Sequence, residues 1–281
     1  MGGGLRTYSV GGRELLDGYG TDELCTSGRG QVLLPWPNRI EDGTYEFDGR
    51  LHRLPLDEPK QRNAIHGLVR WSAWTIRERE PSRVVMEHMI HPQPGYPFSL
   101  AVSIEYALSD QGLSVATTAA NTGPGPCPYG CGAHPYLTLG TPTVDSVVLT
   151  APGRAVLHSD DRGIPTSRGA VEGTDYDFTQ PRTIGGTRLD HCFTELDRDG
   201  SVARVELRAP DNAALTLRMD EAYGYLMLFT GDPLPDVDRR SLAVEPMTCP
   251  PNAFRTGEAL VRLEPGDSYT STWGITPAVE V

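Results

Sequence analysis

The chain has 281 residues, of which 38% are hydrophobic, and a formal net charge of −12. Its length suffices for one large domain whose core needs no disulfide bonds. The acidic balance argues against a nucleic-acid partner, because binding to the phosphate backbone depends on Lys and Arg. No apolar run approaches the roughly 20 residues that span a bilayer, and the first 20 residues lack a secretory signal pattern. We therefore expect a cytoplasmic protein with no membrane association.

The first predicted elements in the chain are β-hairpins. Alternating residues from Thr44 to Phe47 are followed by Asp48-Gly49 and then by Arg50 to Leu54. Because Asp-Gly tolerates the positive φ angles of a two-residue turn, this pattern predicts a hairpin. A clearer alternation places apolar residues at every second position from Leu100 to Leu108, and a polar turn separates it from a second run, Leu113 to Thr117. This segment also predicts a hairpin.

The rest of the chain predicts further short strands and one irregular segment. No stretch keeps an apolar 3.6-residue period for three turns, so long helices are not expected. Ala151 to Gln180 is rich in turn residues and predicts a long surface excursion. Within it, Asp160-Asp161-Arg162-Gly163 faintly resembles a calcium loop but lacks the later Glu ligand, so we interpret it as a turn. The further predicted strands are Val84 to Ile90, Ser146 to Thr150, Val202 to Leu207, Ala214 to Met219, Tyr225 to Thr230 and Ser268 to Trp273.

These patterns together predict an all-β fold. Closely spaced short strands punctuated by 31 Gly and 24 Pro residues are typical of a sandwich or a barrel. A parallel α/β sheet would instead need crossover helices between its strands. We predict a large antiparallel β-sandwich. Because the sequence has no evident linker or internal repeat, we predict a single domain over residues 1–281.

The five cysteines are an odd set in a long chain, which favours reduced thiols over a secreted disulfide framework. Cys127, Cys131 and His134 resemble part of a zinc site. A structural zinc site needs a fourth ligand, however, and no second Cys/His pair of the usual spacing follows. We therefore expect free core thiols and no metal. The cysteines are Cys25, Cys127, Cys131, Cys192 and Cys249.

Five polar residues stand in otherwise apolar or Pro/Gly-rich stretches, where a buried charge must be paired or used. Glu245 follows Leu242 and Val244, so alternation points its carboxylate to the opposite face, at a strand end, as suits a general base. His134 lies among small residues that leave room for a ligand, and it is a candidate general acid. On pattern alone, each residue is more often structural than catalytic. The five are Arg39, His66, His134, Asp190 and Glu245.

The order of motifs around these residues resembles the aldose 1-epimerase (galactose mutarotase-like) family, in a divergent bacterial branch. Each motif alone is weak evidence for the family, whereas five motifs in the same order are strong evidence. Members of this family usually begin with an additional strand before the segment that matches Gly4 to Tyr8, so we expect the chain to begin inside the fold. The matching motifs are Leu34 to Ile40 with the hairpin that follows it, Ala64 to Gly67, Gly132 to Tyr136, Leu189 to Phe193 and Val244 to Phe254.

The resemblance implies a fold and a division of roles among the five residues. The implied fold is a β-sandwich whose concave face holds a sugar. His134 would be the acid and Glu245 the base of an aldose 1-epimerase (mutarotase). Arg39, His66 and Asp190 would bind the hydroxyls and the ring oxygen of the sugar. No cofactor is implied, and we expect a monomer or a homodimer.

The implied chemistry explains why one acid and one base are present. Opening a hemiacetal ring removes the O1 proton and protonates the ring oxygen, so both groups act in one step. The aldehyde then rotates about C1–C2 and closes on its other face to give the opposite anomer. Near neutral pH, Glu245 would have to be ionised and His134 largely protonated. Because the reference His pKa is about 6.5, we expect only modest tuning of either group.

Three alternatives stay open at the level of sequence. Arg70 follows the first His-Gly motif, and in this the sequence is similar to hexose-6-phosphate 1-epimerases. Arg70 would then either bind a phosphate or be a surface charge. A sugar sensor or carbohydrate-binding module would keep the cleft without turnover. Glycoside hydrolysis would use two carboxyls, Asp190 and Glu245, about 5 to 10 Å apart, but would leave the histidines unexplained.

Overall fold

The computed structural model describes residues 2–232, 234–235 and 237–278, and two large antiparallel sheets dominate it. The first half of the chain forms β1 (Ser9–Val10), β2 (Arg13–Glu14), β3 (Val32–Leu33), β4 (Arg39–Glu41), β5 (Thr44–Phe47), β6 (Arg50–Arg53), β7 (Asn63–Ile65), β8 (Thr75–Glu80), β9 (Arg83–Ile90), β10 (Leu100–Ser109), β11 (Gly112–Asn121), β12 (Cys127–Tyr129), β13 (Gly132–Ala133) and β14 (Tyr136–Leu137).

The second half contains the remaining strands and two short helices. A 3₁₀ turn covers Val144–Ser146, and the single α-helix of the described chain, α1, covers Ala253–Thr256. The strands are β15 (Val148–Thr150), β16 (Gly153–Ser159), β17 (Pro165–Ala170), β18 (Arg182–Thr183), β19 (Asp190–Leu196), β20 (Ala203–Arg208), β21 (Ala214–Met219), β22 (Tyr225–Phe229), β23 (Leu242–Met247), β24 (Val261–Leu263) and β25 (Ser268–Ala278).

The two large sheets contain nine and eight strands. The nine-stranded sheet has the order β18-β15-β20-β21-β25-β11-β10-β9-β8. The eight-stranded sheet has the order β17-β16-β19-β22-β23-β13-β3, and β14 also pairs with β23. Smaller pairs, β4 with β7 and β5 with β6, lie beside them. Neighbours in the sheets are often distant in sequence, so the fold brings remote segments side by side.

One large hydrophobic core joins the two sheets. Val102 and Leu217 of the nine-stranded sheet belong to the same buried cluster as Phe193 and Val244 of the eight-stranded sheet. Because side chains alternate between the two faces of a strand, the opposite face of the eight-stranded sheet is left for other contacts. A second, smaller buried cluster, which includes Met227, lies on that face. The predicted all-β antiparallel sandwich is confirmed.

Both predicted hairpins are confirmed. β5 and β6 pair across Asp48-Gly49, and β10 pairs with β11 from Leu100↔Asn121 to Ser109↔Gly112. The period-2 signal was strong in β10 and β11 because one face of each strand packs on the core, whereas the Asp-Gly turn marked the hairpin of β5 and β6. Elsewhere the predicted strands lie within a few residues of the observed ones. The start of the predicted strand at Ser146 is wrong, since Ser146 ends the 3₁₀ turn.

The prediction of an irregular excursion over Ala151 to Gln180 is wrong. β16 and β17 form an antiparallel hairpin there, and β16 also pairs with β19 inside the eight-stranded sheet. The buried run Ala155-Val156-Leu157 is the physical reason, because Val156 packs in the large core and Leu157 in the smaller cluster on the opposite face, and frequent turn residues hid this pattern. The predicted turn at Asp160 is confirmed, since the Gly163 amide donates to the Asp160 carbonyl at 2.9 Å.

All five cysteines are free and buried, as predicted. Among the described residues, no helix is long and apolar enough to cross a membrane.

Candidate active site

The candidate acid and base are in direct contact. Nε2 of His134 lies 3.3 Å from Oε1 of Glu245, and only 6% and 3% of the two side chains are exposed. No gap separates the two groups. Among the described residues, His134 Nδ1 and Glu245 Oε2 have no hydrogen-bond partner.

Strand alternation explains how Glu245 reaches this position. Leu242 and Val244 of β23 pack in the core between the sheets, so Glu245 projects from the opposite face. There its cross-strand neighbour is Met227 of β22, which in turn pairs with Cys192 of β19. Glu245 lies inside β23 and not at the strand end that the sequence suggested. The carboxylate therefore sits on a rigid strand at the centre of a sheet.

His66 extends the histidine pair into a cluster. Its ring lies 5.3 Å from that of His134 in an edge-on arrangement. The backbone amide of Asn38 donates to His66 Nδ1 at 3.2 Å. In a neutral imidazole, a nitrogen that accepts a hydrogen bond leaves the proton on the other nitrogen. His66 therefore carries its hydrogen on Nε2.

Arg39 is held beside the cluster by a carboxylate that the sequence did not single out. Its Nε and Nη2 donate to Glu58 at 2.8 and 3.0 Å, in the two-pronged geometry typical of Arg and carboxylate. Both side chains are about 20% exposed. Glu58 therefore fixes the plane of the guanidinium while leaving Nη1 free of that contact.

Asp190 completes the predicted set at the mouth of a cavity of about 370 Å³. Its side chain is accessible from this cavity, and the charge of Arg39 acts on its carboxyl group. Met227 and Cys192 form an apolar part of the wall. Since Met227 is the cross-strand partner of Glu245, Glu245 projects from the same face of the sheet, next to this wall. The lining residues are Asn38, Arg39, Gln61, Ser159 to Gly163, Asp190 to Cys192, Met227 and Pro251.

Burial opposes charge on both members of the pair. It lowers the pKa of His134 to about 3, and the positive charges of Arg70 and Arg39 act in the same direction. Burial, together with the charge of Asp190, raises the pKa of Glu245 well above 4.5, although Arg39 opposes this shift. The expectation of only modest tuning is therefore wrong, because the sequence does not show how completely the two groups are enclosed. The two shifts favour a resting pair in which both groups are neutral.

The pKa values of His66 and Asp190 are also shifted in the direction that disfavours charge. Burial, then the charge of His134, lowers the pKa of His66 well below 6.5. Partial enclosure raises the pKa of Asp190, while Arg39 opposes that rise. Enclosure thus favours the neutral form of both groups.

Two residues that sequence reasoning missed enclose the His134 ring. Tyr136 stacks on it with ring centres 5.0 Å apart and an angle of 8° between the planes. The Tyr136 hydroxyl donates to the Ser27 carbonyl at 3.1 Å, which ties the loop that carries Gly28 to the same place. The Gly132-to-Tyr136 motif already contained Tyr136, but nothing in the sequence marked Gly28.

Arg70 does not lie on the cavity wall and is not a surface charge. Its Nη2 donates to Asp57 at 2.7 Å and to the Ile65 carbonyl at 3.2 Å, and only 15% of its side chain is exposed. Its positive charge nevertheless adds to the effect of burial and lowers the pKa of His66 and of His134 further. These contacts argue against Arg70 as a phosphate ligand.

Comparison with known proteins agrees with this architecture. The model of the family described as aldose 1-epimerase matches residues 1–276. The uncharacterized protein YihR of Escherichia coli is 36% identical to this chain, over 96% of the chain and 85% of its own length. The chain belongs to the aldose 1-epimerase family, and it is an isomerase.

Other relatives are more distant. Maltose epimerase of Levilactobacillus brevis is 28% identical over 78% of this chain and 71% of its own length. Human galactose mutarotase is 31% identical over 60% of this chain and 51% of its own length, so the match spans about half of that protein.

Solved structures show the same fold. An aldose epimerase homologue from C. elegans superposes with a TM-score of 0.88, at 20% identity, over 99% of this chain and 93% of its own. A galactose 1-epimerase from Lactobacillus acidophilus gives 0.82 at 19% identity, over 99% of this chain and 90% of its own.

Proposed function

We propose that this protein interconverts the α and β anomers of a free aldohexose, with Glu245 as base and His134 as acid. The contact between His134 Nε2 and Glu245 Oε1 carries the proposal. O1 and the ring oxygen are both bonded to the anomeric carbon, so the groups that serve them must lie close together. Two proton-transferring groups that start 3.3 Å apart meet that requirement once their side chains part to admit the hemiacetal.

Ring opening balances on a single proton held by the pair. Glu245 takes the O1 proton, His134 gives a proton to the ring oxygen, and the C1–O5 bond breaks to leave an aldehyde. After rotation about C1–C2, closure reverses each transfer and restores the pair. The neutral and the ion-paired forms of the two groups contain the same number of protons, so hydrogen bonds from an entering sugar need only move the proton from oxygen to nitrogen.

Arg39, His66 and Asp190 are assigned to binding. His66 offers an Nε2 hydrogen to a sugar oxygen, and Asp190 offers acceptors to sugar hydroxyls. Arg39, already oriented by Glu58, adds a donor at Nη1. Such fixed groups hold the anomeric carbon near the pair, and this orientation supplies part of the rate enhancement.

Polarimetry of freshly dissolved α-glucose and α-galactose tests the proposal. We expect Glu245→Gln and His134→Asn to stay folded and each to lose about 10² to 10⁴ in kcat, since each group transfers one proton. Glu87→Gln and His88→Asn, on β9 of the other sheet, are matched controls and should relax the sugar like the wild type. Wild-type rates in both site variants would overturn the assignment.

The same preparation separates the alternatives. Sugar binding without anomer exchange in saturation-transfer NMR would identify a sensor or binding module. A preference for glucose 6-phosphate, with a KM that rises in Arg70→Ala, would identify a hexose-6-phosphate 1-epimerase. Because Arg70 is bound to Asp57 and Ile65, we expect the free sugar to be preferred and that KM to stay unchanged.

A further inference from the structure

We propose that the turn Asp160–Gly163, called the 160–163 turn, is a specificity wall that Arg162 holds in place, so that the cavity admits one sugar ring and excludes a second. This inference rests on the proposed function, since it names the size of substrate for the same site. The turn connects β16 and β17, and all four of its residues line the cavity. It is therefore placed to limit what the cavity accepts.

Arg162 fastens the turn to a different part of the fold. Its Nε donates to the Gln61 carbonyl at 2.8 Å, and its Nη1 donates to Glu41 at 3.2 Å. Its Nη2 donates to Asp42 at 2.9 Å and to the Arg62 carbonyl at 3.1 Å. All three guanidinium nitrogens are thus engaged by protein acceptors. We conclude that Arg162 is a positioning residue and not a direct sugar ligand.

A buried amide links the turn to the binding arginine. Asn63 is fully buried, and its Nδ2 donates to the Arg162 carbonyl at 2.9 Å. The same Nδ2 lies 3.3 Å from Glu58 Oε2, the carboxylate that orients Arg39. Movement of the turn would therefore disturb the partner of Arg39 through Asn63.

The backbone of the turn also lies directly against Arg39. Gly163 has a φ of +75°, and a β-carbon built there would stand 2.6 Å from Nη1 and 2.9 Å from Cζ of Arg39. Only glycine fits this backbone conformation and this contact without displacing the guanidinium. The turn and Glu58 thus confine Arg39 from two directions.

The size of the cavity agrees with a single ring. Its volume of about 370 Å³ is near the lower end of the range of roughly 300 to 1,000 Å³ for small-molecule sites. Gln61, which anchors Arg162, and Asp190 belong to the same wall. If the turn moved outward, the cavity would enlarge on the side that the turn closes.

The test compares glucose and maltose, which both have a free reducing end, in wild type, Arg162→Ala and Arg162→Lys. For Arg162→Ala we expect KM for glucose to rise about tenfold with kcat within about twofold, because the wall acts on binding and not on the proton transfers. We also expect the ratio of kcat/KM for maltose to that for glucose to rise about tenfold. Arg162→Lys should rescue only part of the effect, since Lys lacks the planar fork.

Arg154→Ala is the matched control, because Arg154 lies on β16 of the same hairpin and makes an ion pair with Asp197 outside the cavity. It should leave the KM for glucose and the maltose-to-glucose ratio of kcat/KM unchanged. Unchanged KM and unchanged maltose-to-glucose ratio in a folded Arg162→Ala would overturn the proposal, and so would a loss of kcat alone. If Arg162→Ala fails to fold, Arg162→Lys gives the test alone, and an unchanged KM for glucose with an unchanged maltose-to-glucose ratio in that variant would overturn the proposal.

Failure of this inference is distinguishable from failure of the proposed function. If the wild type exchanges no anomers, the proposed function fails. Saturation-transfer NMR of glucose and maltose with wild type and Arg162→Ala still measures which sugars the cavity admits. Binding of maltose as strong as that of glucose in the wild type would overturn the wall by itself.

Discussion

Gly28 lies so close to the His134 imidazole that a β-carbon at position 28 would stand 2.9 Å from Cδ2 and 3.2 Å from Nε2. Nε2 is the atom that contacts Glu245. The loop around Gly28 is bound to the backbone of His134, since the Gly30 amide donates to the His134 carbonyl and the His134 amide donates to the Gln31 carbonyl. Because loop and backbone are held together, an added methyl group at position 28 would press on the imidazole.

We predict that Gly28→Ala lowers kcat by about 10- to 100-fold by displacing Nε2 from Glu245. The variant should also lose about 1 to 3 kcal/mol of stability, because φ at position 28 is +74° and an Ala there is strained. Gly49→Ala is the control, since Gly49 has a φ of +71° with nothing within 4 Å of an added β-carbon. A Gly28→Ala enzyme with full kcat would show that the ring position does not limit turnover.

The ion pair of Arg39 with Glu58 yields a second prediction. Glu58→Gln removes the charge that orients Arg39, so we expect KM for a free aldose to rise about tenfold while kcat changes little. Glu105→Gln, which breaks the more exposed ion pair with Arg83, should leave KM unchanged. Steady-state polarimetry at several sugar concentrations measures both constants. A fall in kcat at constant KM would place Glu58 in the chemical step instead.

Acid should unfold the wild type more readily than His134→Asn. Burial lowers the pKa of His134 from 6.5 to about 3, so between these values the unfolded chain binds a proton that the folded chain rejects. Stability is therefore lost as the pH falls through this window. Between about pH 7 and about pH 4 we expect the wild type to lose on the order of 3 kcal/mol more than the variant.

Urea unfolding at each pH measures this difference. The raised pKa of Glu245 acts in the opposite direction, because the folded carboxyl keeps its proton above pH 4.5. That contribution is present in both proteins and largely cancels in the comparison. Exposed His91→Asn serves as the control and should follow the wild type. Parallel stability curves for wild type and His134→Asn would contradict the assigned burial effect.

The sequence predicted the parts of this fold that depend on local pattern. Strict alternation from Leu100 to Thr117 marks strands with one face on the core, and the hairpin follows from it. The residues named as a candidate site also come together, with His134 in contact with Glu245 and edge-on to His66. Their motifs were recognisable in order along the chain, although their roles remain proposals.

The remaining features depend on contacts between distant segments. Glu58, Gly28 and Arg162 each act on a site residue through a contact that no local pattern records. The strand β16 was missed because turn residues surround it, and its burial comes from its neighbour β19. The division into a single domain and the cytoplasmic location stay predictions.

The Asn38 amide that donates to His66 Nδ1 has a consequence for recognition. With that nitrogen occupied and the ring kept neutral by burial, His66 can present a hydrogen but no lone pair on its other side. A ligand atom that contacts Nε2 must therefore accept a hydrogen bond through a lone pair. A hydroxyl, carbonyl or ether oxygen satisfies this demand, whereas the ammonium group of an aminosugar would set donor against donor and be rejected at that position.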